Sequence, residues 1–590
     1  MWRILNLRLN LGLHNLIQNL SSMKNNFLIL AILFSTYLNA QNISMDWGEP
    51  FKDKTDYEDI IGFQNETLYV ESDMKVNIGI QIVRKPCITA ISVESKKPIY
   101  SEVIKLPKTD GVKVVLFDMV LLKNGPVALG YSLKKNRAKV YAFTISSLGK
   151  IEGEPILLFE QDDVNKVINP NIFVEFSKDK SKFMLIYARL DKQMAMYKSD
   201  LLVFDNGLSK VSERRMNREF NLQRKNKDLF NLSVYLNNDG SYLSCVEETK
   251  FLDEKIPEYS FTVTSVNVDG EETGNKTVGF EERGIYKPYL FFSDDKATFQ
   301  VVGFYSDLND VKIKFGGYTG VYTATLSTAN LEVLDKTMKP FSKELLAKIH
   351  SEKEVVKSMK KGKGLPIDVG YEVNGVYSTS DGGYIVHAEF YNMVETSERQ
   401  THYFGNVIVI KIDEFGNVVW ENVLYKGQVA VYSYPQVTKT TVEEKRFATS
   451  THPGAENYTY TYTYKTERSR SPHTGLIDLF MEVDKEPKMY DFWSYVPFHV
   501  EDEFIIMFND TKAHPENDKN HKVAFSMKKY QTYKVSFDII TGDMTKENVS
   551  YEIIPEDEII EAGGSLKISE SEAVLVSYKK GFNRLGIIKF

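Results

Sequence analysis

Cysteine is nearly absent: Cys87 and Cys245 are the only two in 590 residues. Two thiols cannot staple a chain of this size, so a disulfide scaffold is excluded. Both sit in strand-like apolar surroundings (Lys85-Pro86-Cys87-Ile88 and Leu243-Ser244-Cys245-Val246), where buried free thiols are expected. Positive charge is not in excess either. Lys and Arg number 73 against 80 Asp and Glu, a formal net charge of -7, so there is no global basic field for nucleic acid. No P-loop, Rossmann fingerprint, HExxH zinc motif, EF-hand loop or G-x-S-x-G elbow occurs. A Ser/His/Asp triad assembled from distant loops leaves no such local signature. Ala-rich helical runs are scarce, while Tyr (34) and Phe (35) are plentiful, which leans toward sheet.

The N-terminus carries an export signature. Met23-Lys24-Asn25-Asn26 is a short basic start, and Phe27–Phe34 (FLILAILF) is an apolar run too short to span a bilayer. Leu38-Asn39-Ala40 then offers a small residue at a cleavage position. Residues 23–40 therefore read as a signal peptide cut after Ala40, with 1–22 an upstream extension of the reading frame. Position 41 is Gln, not Cys, which argues against a lipoprotein anchor. The expectation is an exported protein, in the periplasm, at the envelope or secreted, with no transmembrane segment after cleavage.

What the chain has in quantity is repetition. A polar turn leading into an apolar strand recurs near Asn65, Gly125, Lys180, Gly240, Lys296, Gly382, Glu444, Glu503 and Glu572. The spacing is about 60 residues, with one longer gap between Lys296 and Gly382. A second strand follows each marker, as in Val140–Ile145, Leu201–Asp205, Phe261–Val266 and Tyr533–Asp538. Turn residues close these strands at matching offsets: Ser147-Leu148-Gly149, Asp205-Asn206-Gly207, Asp269-Gly270, Asp413-Glu414-Phe415-Gly416-Asn417 and Thr541-Gly542. Period-2 strands bounded by Gly, Asn and Asp are hairpin grammar. Four strands in such a unit make a propeller blade, and radial packing of blades limits exposed sheet edges. The fold class expected is all-β: a single β-propeller over residues 41–590, of eight blades within a range of seven to nine. Continuous apolar strands such as Phe504–Phe508 suit packed blades better than a membrane barrel.

Two irregularities refine this. The last copy, from Glu572, is short, and Ile43–Trp47 can supply its missing outer strand, closing the ring. The long gap holds a helix at about 341–366, with Ser342 as N-cap, Leu345, Leu346, Ile349, Val356 and Met359 at helical spacing, and Gly362–Pro366 as a stop. Lys outnumbers Glu in it. It serves either as a docking element over one mouth of the ring or as an excursion packed on a neighbouring blade.

The stretch Asp381-Gly382-Gly383-Tyr384 … Ile410-Lys411-Ile412-Asp413 … Gly416-Asn417 … Trp420 resembles the uncharacterised secreted β-propeller-like repeat proteins of Bacteroidetes. The close match covers about 40 residues, with diffuse echoes elsewhere. The resemblance implies the propeller fold and export, and no particular activity.

Candidate ligand positions lie where the repeats differ. Tyr458, Tyr460, Tyr462 and Tyr464 alternate with Thr and share one face of a strand, followed by Arg468 and Arg470. That is an aromatic surface for a glycan or peptide, or a blade face packed on its neighbour. Few Trp accompany it (Trp47, Trp420 and Trp493 after the leader), which weakens a dedicated glycan site. His514, Asp518 and His521 fall in one polar loop and could hold a divalent metal at short reach; the same residues are ordinary in a solvated hairpin loop. The acidic turns Asp294-Asp295 and Asp307–Asp310 lack the ligand pattern of a calcium loop. No cofactor and no catalytic residue is assigned. The leading expectation is a non-catalytic exported propeller that binds a protein or a glycan. The alternatives are a hydrolase or lyase with its site at the central channel, and a structural envelope component.

Overall fold

The computed structural model describes residues 44–589 except 52–54, 79–80, 135–136, 163–166, 192–195, 220–228, 252–256, 281–282, 293–296, 308–316, 361–364, 369, 396–398, 434–494, 501, 513–529, 550–557, 570–571 and 580–581. It is an eight-bladed β-propeller. Blade 1 spans Thr55–Val103, blade 2 Val115–Gln161, blade 3 Val167–Glu219 and blade 4 Leu229–Gly279. Blade 5 spans Arg283–Pro340, blade 6 Tyr371–Ser433, blade 7 Val496–Asn548 and blade 8 Ile559–Lys589. Each is an antiparallel meander whose first strand is innermost. Ser44–Trp47 pairs with the last strand, Ser44 opposite Lys589 and Trp47 opposite Gly586, and is the outer strand of blade 8. The expected ring closure is therefore present. The marker near Glu444 falls within 434–494, outside the described residues. The marker near Lys296 is also outside them, between the first two strands of blade 5; the other seven each fall at or beside the first hairpin of a blade, and the count is eight, as expected.

Eight apolar cores lie between the blades, one at each junction, from Val120, Leu185 and Phe204 between blades 2 and 3 to Ile60, Leu68 and Val574 between blades 8 and 1. This explains why middle strands are apolar on both faces. In Glu503–Thr511 every residue after Glu503 is buried, because each sheet face meets a neighbouring blade. Outer strands such as Glu272–Gly279 touch water and are mostly polar. Cys87 and Cys245 are buried free thiols.

One contact recurs between successive blades. The turn joining the two outer strands of a blade contains a residue with left-handed backbone: Lys96, Gly149, Leu208, Gly270, Leu331, Gly416 or Gly542. An Asp, Asn or Ser opens the turn and accepts backbone N–H groups, as Asp413 Oδ1 does from Phe415 and Asn417 at 3.0 and 2.7 Å. The turn then seats against the outer strand of the preceding blade. A Cβ on Gly149 would lie 2.6 Å from the Tyr100 ring, and one on Gly542 2.7 Å from Trp420. Trp420 also donates to the Ile539 carbonyl of blade 7 at 2.9 Å. Where the turn residue is larger, the preceding strand yields: Leu331 covers Gly274, and Lys96 covers Gly48 and pairs with Asp46 at 2.9 Å. The Trp of the repeat thus bridges blades 6 and 7 and is only half-buried.

The helical insertion consists of two short helices, α1 (Lys343–Ile349) and α2 (Glu352–Lys360). Ser342 caps α1, accepting from the Leu345 N–H at 3.0 Å, as its sequence signalled. Leu345 is buried in the core between blades 5 and 6. The Ser342 N–H donates to Glu421 at 2.9 Å, Lys348 to Asn422 at 2.8 Å, and Tyr425 OH to the Lys348 carbonyl at 2.8 Å. α1 therefore covers the outer strand of blade 6, the excursion reading, and protects a sheet edge.

Turn glycines give a graded test by thermal denaturation. Gly542→Ala meets both the left-handed backbone and the Trp420 ring, and should cost about 2–4 kcal/mol. Gly111→Ala has the backbone cost alone, with no atom within 4 Å of the new methyl, and should cost about 1 kcal/mol.

Candidate functional site

Strand alternation gives the ring two unlike faces. Each blade's first and third connections lie on one face and are short turns. They bond laterally: Gln64 donates to the Lys123 carbonyl at 2.6 Å, the Lys123 N–H to Asn206 Oδ1 at 3.2 Å, and Ser181 to the Asn238 carbonyl at 3.1 Å. The second hairpins and the blade-to-blade connections open on the opposite face. These include Pro340 to Tyr371, which carries both helices, Ser433 to Tyr495, and Thr511 to Tyr530. Tyr458, Tyr460, Tyr462, Tyr464, Arg468 and Arg470 belong to the second of these connections, and His514, Asp518 and His521 to the third. All nine lie outside the described residues, but the strands that flank them open on the connection face, as does the helical insertion. Among the described residues, no three His, Cys, Asp or Glu side chains are grouped to hold a metal ion, and no helix is long and apolar enough to cross a membrane.

Beneath the connection face, blades 6, 7 and 8 share a buried polar network. Blade 6 is prolonged here: its third strand runs 14 residues, Arg399–Ile412, and a fifth strand, Gln428–Ser433, pairs with the extension. Lys426, at the break before that fifth strand, is fully buried and pairs with Glu389. Its ammonium also donates to Gln428 Oε1 at 3.0 Å and lies 5.5 Å from the Tyr495 ring centroid. Gln428 donates to the Asn509 carbonyl of blade 7 at 2.7 Å, and Asn509 Nδ2 to the Ile560 carbonyl of blade 8 at 2.7 Å. Next along, Asp510 and Lys546 form a second buried pair at 2.7 Å, with the ammonium 4.4 Å from the Tyr533 ring centroid. Desolvation pulls the Lys426 ammonium down and Glu389 opposes it.

Two histidines adjoin this network. His387 Nδ1 is 2.5 Å from Tyr495 OH, and its ring packs among Tyr377 and Phe504. Its Nε2 has no hydrogen-bond partner and faces Gly375, where a Cβ would lie only 2.5 Å away. Burial lowers His387 to about 3. His402 Nδ1 meets Tyr391 OH at 2.7 Å, and burial lowers it to about 4. Both are neutral at physiological pH. Chemically the network can hold blades in register; the groups named in it are committed to one another.

The innermost strands offer a different group. Six of them carry a register shift, including the one between Leu116 and Asp118 in blade 2. Asp118 accepts a hydrogen bond from the Met119 N–H but is paired with no Lys or Arg among the described residues, and burial pushes its carboxyl up to about 7. In blade 3, Lys180 reaches toward Gly62 of blade 1, and burial lowers its ammonium. Asp118 lies on the innermost strand of blade 2 and Lys180 in the first turn of blade 3, and each is perturbed by desolvation without a described counter-charge. This is the pattern that marks candidate sites. Sequence reasoning gave neither a functional role: Asp118 belongs to no motif, and Lys180 counted only as a turn of the repeat.

No protein-family model matches the chain, and no curated protein matches it. Among solved structures, the WD40 domain of SCAP from fission yeast is similar at 11% identity and TM-score 0.34, over 93% of this chain and 98% of that one. Saccharomyces cerevisiae Sqt1 is similar at 9% identity and TM-score 0.34, over 92% and 98%. A Penicillium chrysogenum alpha-L-arabinanase complexed with arabinobiose is similar at 10% identity and TM-score 0.26, over 52% and 93%.

The titrations have opposite signs. Asp118 binds its proton more tightly folded than unfolded, so stability falls as pH rises from about 4 to 7. Asp118→Asn should therefore raise the melting temperature at pH 8 and leave it unchanged at pH 4. His387 and His402 resist protonation in the fold, so stability falls below about pH 6.5. His402→Gln should flatten that acid-side slope in a pH series of melts.

Proposed function

We propose that this chain is an exported, non-catalytic propeller that binds a protein or glycan partner through its connection face. The observation that carries this reading is the asymmetry of the ring. One face is closed by short turns that bond to one another, while every connection with room for variable recognition opens on the other. Loops mounted on a rigid scaffold are the usual place for recognition. The buried network of blades 6, 7 and 8 lies near the strand ends that flank the two connections holding the aromatic and histidine-rich segments, and it stiffens that edge of the face. The leader-like segment at 23–40 supports export. A divalent metal at His514, Asp518 and His521 would be an accessory of the same face.

The test is capture from envelope proteins and a glycan array with the intact chain. Replacing 451–473 by a Gly/Ser linker of equal length should abolish retention without lowering the melting temperature by more than a few degrees. Retention unchanged by that replacement would remove the connection face as the binding surface.

A second reading has one specific observation in its favour. Asp118, near neutrality on an innermost strand, has the protonation behaviour of a general acid or base in a hydrolase or lyase. Under this reading Asp118→Asn abolishes turnover of a glycoside or ester panel while improving stability. A wild-type protein inert on the panel, with capture intact, leaves the binding reading alone.

A further inference from the structure

The rim of the short-turn face, which the proposed binding role leaves unused, carries a row of exposed apolar side chains on blades 5, 6 and 7. Two come from turn tips, Phe415 at 68% and Ile540 at 71% exposed, and two from outer strands, Leu334 at 54% and Val419 at 52%. The outer-strand pair are bulge residues. The register skips Leu334, between Val333 and Asp335, and Val419, between Val418 and Trp420, so neither has a partner opposite. The fold does not demand apolar residues at such places. The matching bulge of blade 4 carries Thr273, which bonds to Ser265, and the matching turn of blade 3 is built from Asp205-Asn206-Gly207. Contacts between blades join the four into a row. Thr337 donates to the Gly416 carbonyl at 3.2 Å, which sets Phe415 beside the strand that carries Leu334. Trp420 and Asn422 donate to the Ile539 and Gly542 carbonyls at 2.9 and 3.0 Å, which sets Ile540 beside the strand that carries Val419.

Charge along the row has one sign. In these three turns and the first three residues of the strands that follow them, the exposed charged groups are Glu332, Asp335, Glu414, Asp538 and Asp543, all carboxylates. The nearest lysines are engaged elsewhere. Lys336 donates to the Gly279 carbonyl of blade 4 at 3.0 Å, and Lys546 pairs with buried Asp510 at 2.7 Å. The equivalent hairpins of blades 1 and 2 mix signs, with Glu94 near Lys97 in sequence and Lys150 near Glu152. An apolar row set among carboxylates repels nucleic acid and anionic bilayers, and it favours a cation carried beside an apolar group. We propose that the rim of blades 5, 6 and 7 docks a basic amphipathic segment of a partner protein. Its apolar side chains cover Phe415, Val419 and Ile540, and its Lys or Arg heads meet Glu414 and Asp543. The stems of Lys and Arg add to the apolar cover while their heads stay in water. Apolar anchors supply the affinity of such a contact, and the carboxylates select the sign of the partner. The site lies on the face opposite the connections, so a ligand there leaves the connection face open.

The test is fluorescence anisotropy of the intact chain with a labelled peptide of about 14 residues, the unit Leu-Lys-Lys-Leu-Leu-Lys-Leu written twice, roughly 21 Å long as a helix. The same peptide with Glu for Lys is the control. The Lys peptide should bind, less tightly in about 1 M NaCl, and the Glu peptide should not. Phe415→Ser with Ile540→Ser should raise the Kd by roughly tenfold or more, as should Glu414→Lys with Asp543→Lys. Glu66→Lys with Glu94→Lys, on the same face in blade 1, should leave it unchanged. All six positions are exposed, and circular dichroism confirms that each variant is folded. Replacing 451–473 should also leave the Kd unchanged, which separates this site from the connection face. A Lys peptide that does not bind overturns the proposal. So does an affinity indifferent to both rim variants, or an equal loss in the blade 1 variant. Self-association of the wild-type chain in sedimentation velocity, abolished by Phe415→Ser with Ile540→Ser, overturns it by assigning the row to a second copy. Retention on phosphatidylcholine vesicles, lost in the same variant, overturns it by assigning the row to lipid.

Discussion

Successive blades meet at one seat. The outer hairpin of a blade ends in a residue with left-handed backbone, and that residue rests against the outer strand of the blade before it. The seat works by compensation of volume. A glycine at the turn admits Tyr100 or Trp420 from the neighbour, and Leu331 and Lys96 lie over Gly274 and Gly48. Sheet faces alone would allow blades to slide, because apolar packing is non-directional. The seat adds a fixed point at the rim, far from the axis, where a small rotation produces the largest displacement. The junction between blades 7 and 8 has no seat of this kind, because the hairpin that would form it is split between the two chain ends. There Met45 and Trp47, on the strand paired with Gly586–Lys589, pack against the core of the junction.

The buried charges of blades 6, 7 and 8 are best understood against that geometry. A buried ion pair is seldom a net source of stability, since desolvation offsets the Coulombic gain. Its value is directional: Lys426 is satisfied only where Glu389 and Gln428 meet it, and Asn509 only where Ile560 and Thr532 are in place. The network lies where the chain leaves blade 6 at Ser433 and resumes at Tyr495, the longest connection between blades. A long connection constrains the next blade weakly, because closing it costs little more entropy in one register than in another. Polar groups with a single good arrangement supply the missing specification.

The two faces of the ring divide their work accordingly. Short Asx-type turns give the one face a fixed shape, so its charges and apolar tips are held at defined places. The opposite face receives every long connection, because antiparallel alternation returns the chain there at each second hairpin and each blade junction. Its connections can therefore vary in sequence without disturbing the cores between blades.

Much of the architecture was legible in the chain itself. The Asp-x-x-Gly-Asn turn, the apolar second strand and the spacing of about 60 residues are local or periodic signals, and they specify four-stranded units. The truncated last copy together with Ile43–Trp47 was enough to anticipate closure, and Ser342 announced its helix by capping. The expected count of eight blades agrees with the structure. Trp420 packs against the core between blades 6 and 7 and donates to the Ile539 carbonyl, a partner that sequence does not name. Glu389, Lys426, Asp510 and Lys546 carried no signal beyond polar residues among apolar ones. Asp118 became notable only through desolvation at its place on the innermost strand of blade 2. Pattern along the chain determined the building unit, since hydrogen bonding and alternation act between residues close in sequence. Which charges are buried together, which turn meets which strand and what each face presents depend on contacts between distant residues, and the closed ring alone decided them.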